Sequence, residues 1–428
     1  MKRPLLILVI LVFTLVLLGL GLLQRGLVIL TLPLLVYIAS AAAQKPAKPS
    51  QLGIKRTVDP ERAVQGAPLT VTLRLQNEGE AISQFTAIDL FSSKIQTENG
   101  PTSVMAYFNA DETVELSYTI KAFRGAYQSF EVIAAAQETL DCFEAIASHP
   151  NLSPFIIHPE GEPIKSVKIR PPRTHGFAGS IAARRAGTGV DFFTTREYQP
   201  GDPLRHINWK QSARDDQHIY TNVFEQEQVT DVGIILDARQ RVNLSNRSGT
   251  LFEHSVHAAA TLAQSFLGDG HRVSLLVYGS GKKRVFPGYG KVQEVRILDA
   301  LSSVAPIVNF ALTNFDSLPV RFFPSGSQIV MISPIVMEDI PYINRMRARG
   351  YAVMVLSPDP ISFEASAHRD HHSRAYRLAF AERELMLQQL RQSGTLVINW
   401  PVNQNLDGIL QSAAFNNRAA FGGNRRGA

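Results

Sequence analysis

Cysteine is almost absent from this chain of 428 residues: Cys142 is its one thiol. No intrachain disulfide can form, and nothing in the composition calls for an oxidising compartment. Tryptophan is nearly as scarce, with Trp209 and Trp400 the two present. There is no Gly-x-Ser-x-Gly elbow, and Cys142 has no catalytic setting, so the familiar nucleophilic hydrolase patterns are missing. Phosphate cradles fail too. Gly279-Ser-Gly281-Lys282 lacks the glycine that a Walker A motif needs at position 276, which is Leu276, and Gly288-Tyr-Gly290 lacks a third glycine because Gln293 stands there. The net charge of +6 is not gathered into a basic stripe with interleaved aromatics, so nucleic acid is not expected as a partner. No cofactor is expected either.

Long apolar runs are present, at the N-terminus. Pro4 to Leu23 and Leu27 to Ala43 carry no charge, and about 20 apolar residues suffice to cross a bilayer core. Lys2 and Arg3 precede the first run and Lys45, Lys48, Lys55 and Arg56 follow the second, while the hairpin between them has only Arg25. The distribution predicts a two-helix transmembrane hairpin over residues 1–45, with the membrane as a partner and the soluble domains and both termini in the cytoplasm.

Residues 54–160 read as β. Leu69, Val71, Leu73 and Leu75 alternate with polar residues, Val114 to Ile120 alternates again, and short strands at this spacing predict a small antiparallel β-sandwich domain. Residues 161–186 form a basic connector with Lys165, Lys168, Arg170, Arg173, Arg184 and Arg185, and residues 416–428 a disordered basic tail with Arg418, Arg425 and Arg426. From 231 to 415, apolar strands such as Val232 to Leu236 and Gln328 to Ser333 alternate with helices such as Thr250 to Leu267 and Arg374 to Gln392. That alternation predicts an α/β domain built on a doubly wound, mainly parallel sheet.

The chain is organised around residues 187–230. Tyr198-Gln-Pro-Gly-Asp-Pro is a turn signal, and Trp209 stands among charges of both signs. Arg196, Glu197, Tyr198, Gly201, Asp202, Arg205, Ile207, Trp209, Ser212 and Arg214, followed by Glu225 and Glu227, closely resemble the signature of bacterial membrane proteins in the domain of unknown function 58 family. The resemblance implies two N-terminal membrane helices in the bacterial inner membrane, a β domain, a von Willebrand factor A-like domain and a link to MoxR-type AAA+ ATPases. It brings architecture more than activity. Read by themselves, the same residues are a salt-bridge network fixing a long connection, a docking surface or a catalytic centre.

In the implied A-like fold a divalent cation sits beyond the first strand, on Asp-x-Ser-x-Ser. Here the run is Asp237-Ala-Arg239-Gln-Arg241, and arginine offers no lone pair to a metal. We therefore expect a degenerate position without metal, with Asp237 paired to Arg239, Arg241 or an arginine of the signature. His368, Asp370, His371 and His372 have the chemistry of a metal site, but with Arg369 among them they read better as a solvated loop. Glu225 and Glu227 are expected to face Arg205 and Arg214. The functional expectation is a non-enzymatic, membrane-anchored scaffold that presents the signature to a protein partner such as a MoxR-type ATPase. The alternatives are a hydrolase using Asp202, Glu225 or Glu227, and a divalent-cation-dependent binding domain.

Overall fold

The computed structural model describes residues 3–43, 49, 51–137, 144–165, 167, 181–215, 217–246, 249–280, 283–308, 312, 314–368 and 374–413. Within these, the side chains of 3–5, 41–43, 144, 181–193, 224–228 and 366–368 are outside the description. The cluster at His368 to His372 as a whole, most of the connector and the basic tail fall outside the described residues. The chain divides into two compact units, Met1–His158 and Pro159–Ala428.

The first unit begins with α1 (Arg3–Gly21) and α2 (Arg25–Ala43). At about 1.5 Å per residue each is roughly 28 Å long, a little short of the ~30 Å hydrocarbon core, and Pro33 interrupts the second. Among the described residues no helix is long and apolar enough to cross a membrane. The expected transmembrane hairpin is therefore corrected, and the multi-pass inner-membrane placement goes with it.

The strands that follow are β1 (Leu52–Asp59), β2 (Arg62–Val64), β3 (Leu69–Asn77), β4 (Ile82–Leu90), β5 (Ile95–Asn99), β6 (Ser103–Phe108), β7 (Thr113–Ala122), β8 (Gly125–Gln137) and β9 (Glu144–His158). They form one sheet in the order β1-β3-β7-β5 and another in the order β2-β9-β8-β4-β6. Every pairing is antiparallel except β2 with β9. The inward residues of β3, Leu69, Val71, Leu73 and Leu75, are fully shielded and meet Phe85, Val132, Phe155 and Ile157 from the second sheet. Arg56, read from sequence as a cation beside the membrane, is instead buried in β1. Its Nε donates to Asp89 Oδ2 at 2.9 Å and its guanidinium lies 3.7 Å from the Phe130 ring centroid. Burial of apolar area at roughly 25 cal/mol per Å² holds these sheets together, and the Arg56–Asp89 pair is the exception inside them.

The second unit contains β10 (Ile181–Glu197), α3 (Trp209–Ser212) and β11 (Tyr220–Gln228). There follow β12 (Asp231–Asp237), the short β13 (Ser245–Asn246) and β14 (Gly249–Thr250), α4 (Leu251–Gly268), β15 (Arg272–Tyr278), β16 (Arg284–Gly288) and α5 (Gly290–Ser302). The remainder is β17 (Gln328–Ile332), α6 (Ile340–Ala348), β18 (Ala352–Pro358), α7 (Pro360–His368), α8 (Arg374–Gln392) and β19 (Leu396–Trp400). Six strands form a sheet in the order β16-β15-β12-β17-β18-β19. Val232, Ile234 and Leu236 pack with α4 and α5, while Ile235 packs with residues of α6 and α8. Both faces of β12 are thus covered, which is why its whole sequence is apolar apart from its terminal aspartates.

The fold class expected from sequence is corrected here. The six-stranded sheet is mixed: β16 returns antiparallel to β15. The loop 279–283 between them is too short for a crossover, which takes a dozen or more residues, so the chain can only fold back. The long ladders elsewhere, including the β10–β11 pair, are antiparallel as well. Antiparallel pairing is therefore widespread, and a doubly wound parallel sheet of the von Willebrand A type does not describe the molecule.

Candidate functional site

Two groups of polar residues stand out in the second unit. One is the connection between β10 and β11. Gly201 has φ +106°, a conformation that favours glycine, and it closes the turn that brings Asp202 back to the strand. Asp202 Oδ1 accepts from Arg196 Nη2 at 2.7 Å and Oδ2 from the Gln199 amide at 2.9 Å. The Gln199 amide, then Arg196, holds this carboxyl below the ordinary carboxylate range. The Tyr198 amide donates to Ile219 O at 2.7 Å.

The next turn is capped by a residue that sequence reasoning passed over. Asn208 Oδ1 accepts from the Gln211 amide at 3.1 Å, and its Nδ2 donates to Asn222 Oδ1 at 2.9 Å. An Asn three residues before a helical Gln is a recognisable cap signal. Ser212 Oγ donates to Asn208 O at 3.0 Å and accepts from the Tyr220 amide at 2.8 Å. Tyr220 OH donates to Asp215 Oδ2 at 2.8 Å, which lowers the Asp215 pKa and raises that of the tyrosine. Ile207 is buried.

This frame leaves Trp209 69% and Leu204 70% exposed, with Arg205, Lys210 and Arg214 also exposed. Arg196 and Asp202 are brought together, and Ser212 joins β11. Arg205 and Arg214 make no ion pair with a described carboxylate. Glu225 and Glu227 pair in β11 with Ala186 and Ala182 of β10, and their side chains lie outside the described residues. Beside α3 is an open groove of about 560 Å³ lined by Asn208, Lys210, Gln211, Arg214, Asp215 and Tyr220.

The other group lies beyond the carboxyl ends of β12, β17 and β18. Asp237 Oδ1 accepts from Arg239 Nε at 2.9 Å and Oδ2 from Nη2 at 2.7 Å. The same guanidinium donates to both oxygens of Asp339 at 2.9 Å and lies 3.9 Å from the Phe315 ring centroid. Ser333 Oγ donates to Asp237 Oδ2 at 2.6 Å, and Asn243 Nδ2 donates to Asp237 O at 3.1 Å. Burial alone would lower the Arg239 pKa, but hydrogen bonds to two carboxylates outweigh it and keep the group cationic. Asp339 is raised, chiefly by burial, as expected of the second of two carboxylates sharing one cation. Arg241 is exposed and donates to Asn314 Oδ1 at 3.2 Å. Asp339, about a hundred residues downstream, carried no signal in the sequence.

Next to it, buried Arg383 of α8 donates to Ser357 Oγ at 2.9 Å and Asn399 Oδ1 at 3.0 Å, and its Nε lies 3.1 Å from Asp359 Oδ1. Two buried guanidiniums therefore lie beyond the carboxyl ends of the sheet's strands. Among the described residues no group of three or more His, Cys, Asp or Glu is placed to hold a metal ion.

Together the fold and these sites define a two-unit chain with a mixed α/β sheet and an exposed, hydrogen-bonded signature connection. Residues 194–351 match the family described as "Protein of unknown function DUF58", so the resemblance seen in the signature is shown over that stretch. No curated protein matches the chain. Among solved structures, the FixG-related protein from Vibrio parahaemolyticus is 11% identical with a TM-score of 0.16, covering 24% of this chain and 96% of its own. A fragment of alpha-2-macroglobulin from Escherichia coli is 12% identical with a TM-score of 0.21, covering 26% of this chain and 17% of its own. The cupredoxin domain of amoB from Nitrosocaldus yellowstonii is 16% identical with a TM-score of 0.19, covering 29% of this chain and 98% of its own.

Proposed function

We propose that the chain is a non-catalytic protein-binding adaptor that presents the connection 196–222 to a protein partner, with a MoxR-type AAA+ ATPase as the first candidate. The observation that carries this reading is the exposure of Trp209 and Leu204 on a turn whose own polar groups are tied down by Asn208, Ser212 and Asp202. A large aromatic exposed on a hydrogen-bonded turn makes little packing of its own, and tryptophan is enriched among the residues that anchor protein interfaces. The chemistry of the carboxylates points the same way. A general acid needs a raised pKa, whereas hydrogen bonds hold Asp202 and Asp215 below the usual range, and Asp339 is bound to Arg239. Capture of the purified ATPase by the full chain, lost in Trp209→Ala and retained in an exposed control such as Glu382→Ala, is the expected result. Equal capture by Trp209→Ala would overturn the reading.

A further inference from the structure

Among the described residues, the wall of the groove beside α3 carries two cations and one acid. Lys210 and Arg214, four residues apart, both line it, both are exposed, and neither is ion-paired to a described carboxylate. Asp215, the acid at the wall among the described residues, is already engaged. Its carboxylate accepts from Tyr220 OH at 2.8 Å and from the Gln217 amide at 3.1 Å, and His218 Nδ1 lies 3.4 Å away. Arg205 adds a third exposed cation, its Nε turned to His206 at 3.3 Å. Trp209, Leu204 and Ile219 of the same connection are exposed as well.

Cations with no described carboxylate partner, on the same connection as an exposed aromatic, give charge steering at a rim and burial at a centre. We infer that the groove between Lys210 and Arg214 receives an acidic side chain of the protein partner, while Trp209 and Leu204 bury against a large apolar residue beside it. This rests on the adaptor reading and names the partner's chemistry: Asp or Glu adjacent to Leu, Phe or a similar side chain. A nucleic acid fits less well. Base stacking takes several aromatics along a basic track, whereas here one exposed aromatic stands with aliphatic residues.

The test uses the intact chain. Trp400 is 3% exposed and Trp209 is 69% exposed, so a change in tryptophan emission on binding reports Trp209. The probes are two synthetic peptides of equal length, one alternating Glu and Leu and the other Lys and Leu, together with a single-stranded oligothymidylate. The Glu/Leu peptide is expected to shift the emission. The Lys210→Glu/Arg214→Glu variant is expected to weaken that peptide at least tenfold and to gain the Lys/Leu peptide. No binding of the Glu/Leu peptide, equal binding of the Lys/Leu peptide or the oligothymidylate, or indifference to the charge reversal would each overturn the inference. Capture of the ATPase separates this from the adaptor reading. Loss in Trp209→Ala with full capture by the charge-reversed variant leaves the adaptor standing and removes the acidic partner; full capture by both variants removes both.

Discussion

Arg239 Nη2 lies 2.7 Å from Asp237 Oδ2, with both side chains almost wholly shielded from water. The cation that two buried carboxylates require is therefore covalently part of the chain. Removing it strands both charges. Arg239→Met is expected to cost about 3–5 kcal/mol, the usual cost of breaking a buried ion pair from one side. Asp339→Asn leaves the pair with Asp237 intact and is expected to cost less. Urea unfolding of the two variants checks the order.

The same cluster sets a pH dependence. The folded-state pKa of Asp339 is raised, first by burial. A raised pKa means that the stabilising contribution is fully present below the unfolded value and is lost as pH rises through the folded one. Stability is thus expected to decline as pH climbs through a window above the ordinary carboxylate range, and Asp339→Asn is expected to abolish that decline. Asp202 and Asp215 have the opposite sign. Both are depressed, so their contributions persist above the ordinary range and are lost only on acidification below it. Hydrogen exchange at the Gln199 and Gln217 amides, which these carboxylates accept from, should accelerate only there.

In the first unit, Arg56 and Asp89 are both fully buried. Among the described residues Arg56 Nη1 and Nη2 and Asp89 Oδ1 have no hydrogen-bond partner, and Tyr118 OH donates to Asp89 Oδ2. Arg56→Met alone is expected to destabilise by about 3–5 kcal/mol because it leaves a bare buried carboxylate. Arg56→Met/Asp89→Leu/Tyr118→Phe removes every polar member and is expected to recover most of that loss. Thermal unfolding of single and triple variants tests the non-additivity.

Much of the local structure was legible. The alternation from Leu69 to Leu75 lies inside β3, and the apolar stripe from Thr250 lies in α4. The Arg374 to Gln392 helix has the expected bounds. Other features were not legible, for physical reasons. Helical runs at the N-terminus looked long enough to cross a bilayer because composition counts apolar residues and not the helix that forms. The direction of the edge strand β16 leaves no mark in hydrophobic periodicity, and only the short loop before it decides it. The signature contains Arg196 and Asp202 but gave no sign that they pair, and it missed Asn208, Tyr220 and Asn222, because their bonds join β11 to a turn.

Asn208 and Trp209 divide support from contact. Asn208→Ala removes a helix cap and the bond to Asn222, which is expected to cost about 1 kcal/mol and to loosen the turn. Trp209→Ala touches an exposed surface and is expected to change stability by less than ~0.5 kcal/mol. Unfolding midpoints set against partner capture for the two variants should therefore rank in opposite orders.

The most direct measurement is calorimetric titration of the intact protein and of Arg239→Ser with manganese. The wild type is expected to take up none at Asp237, because the Arg239 guanidinium holds both carboxylates, and the variant, which frees Asp237, Asp339 and Ser333 as oxygen donors, is expected to gain a site that Asp237→Asn then abolishes. Stoichiometric uptake by the wild type, lost in Asp237→Asn, would contradict it.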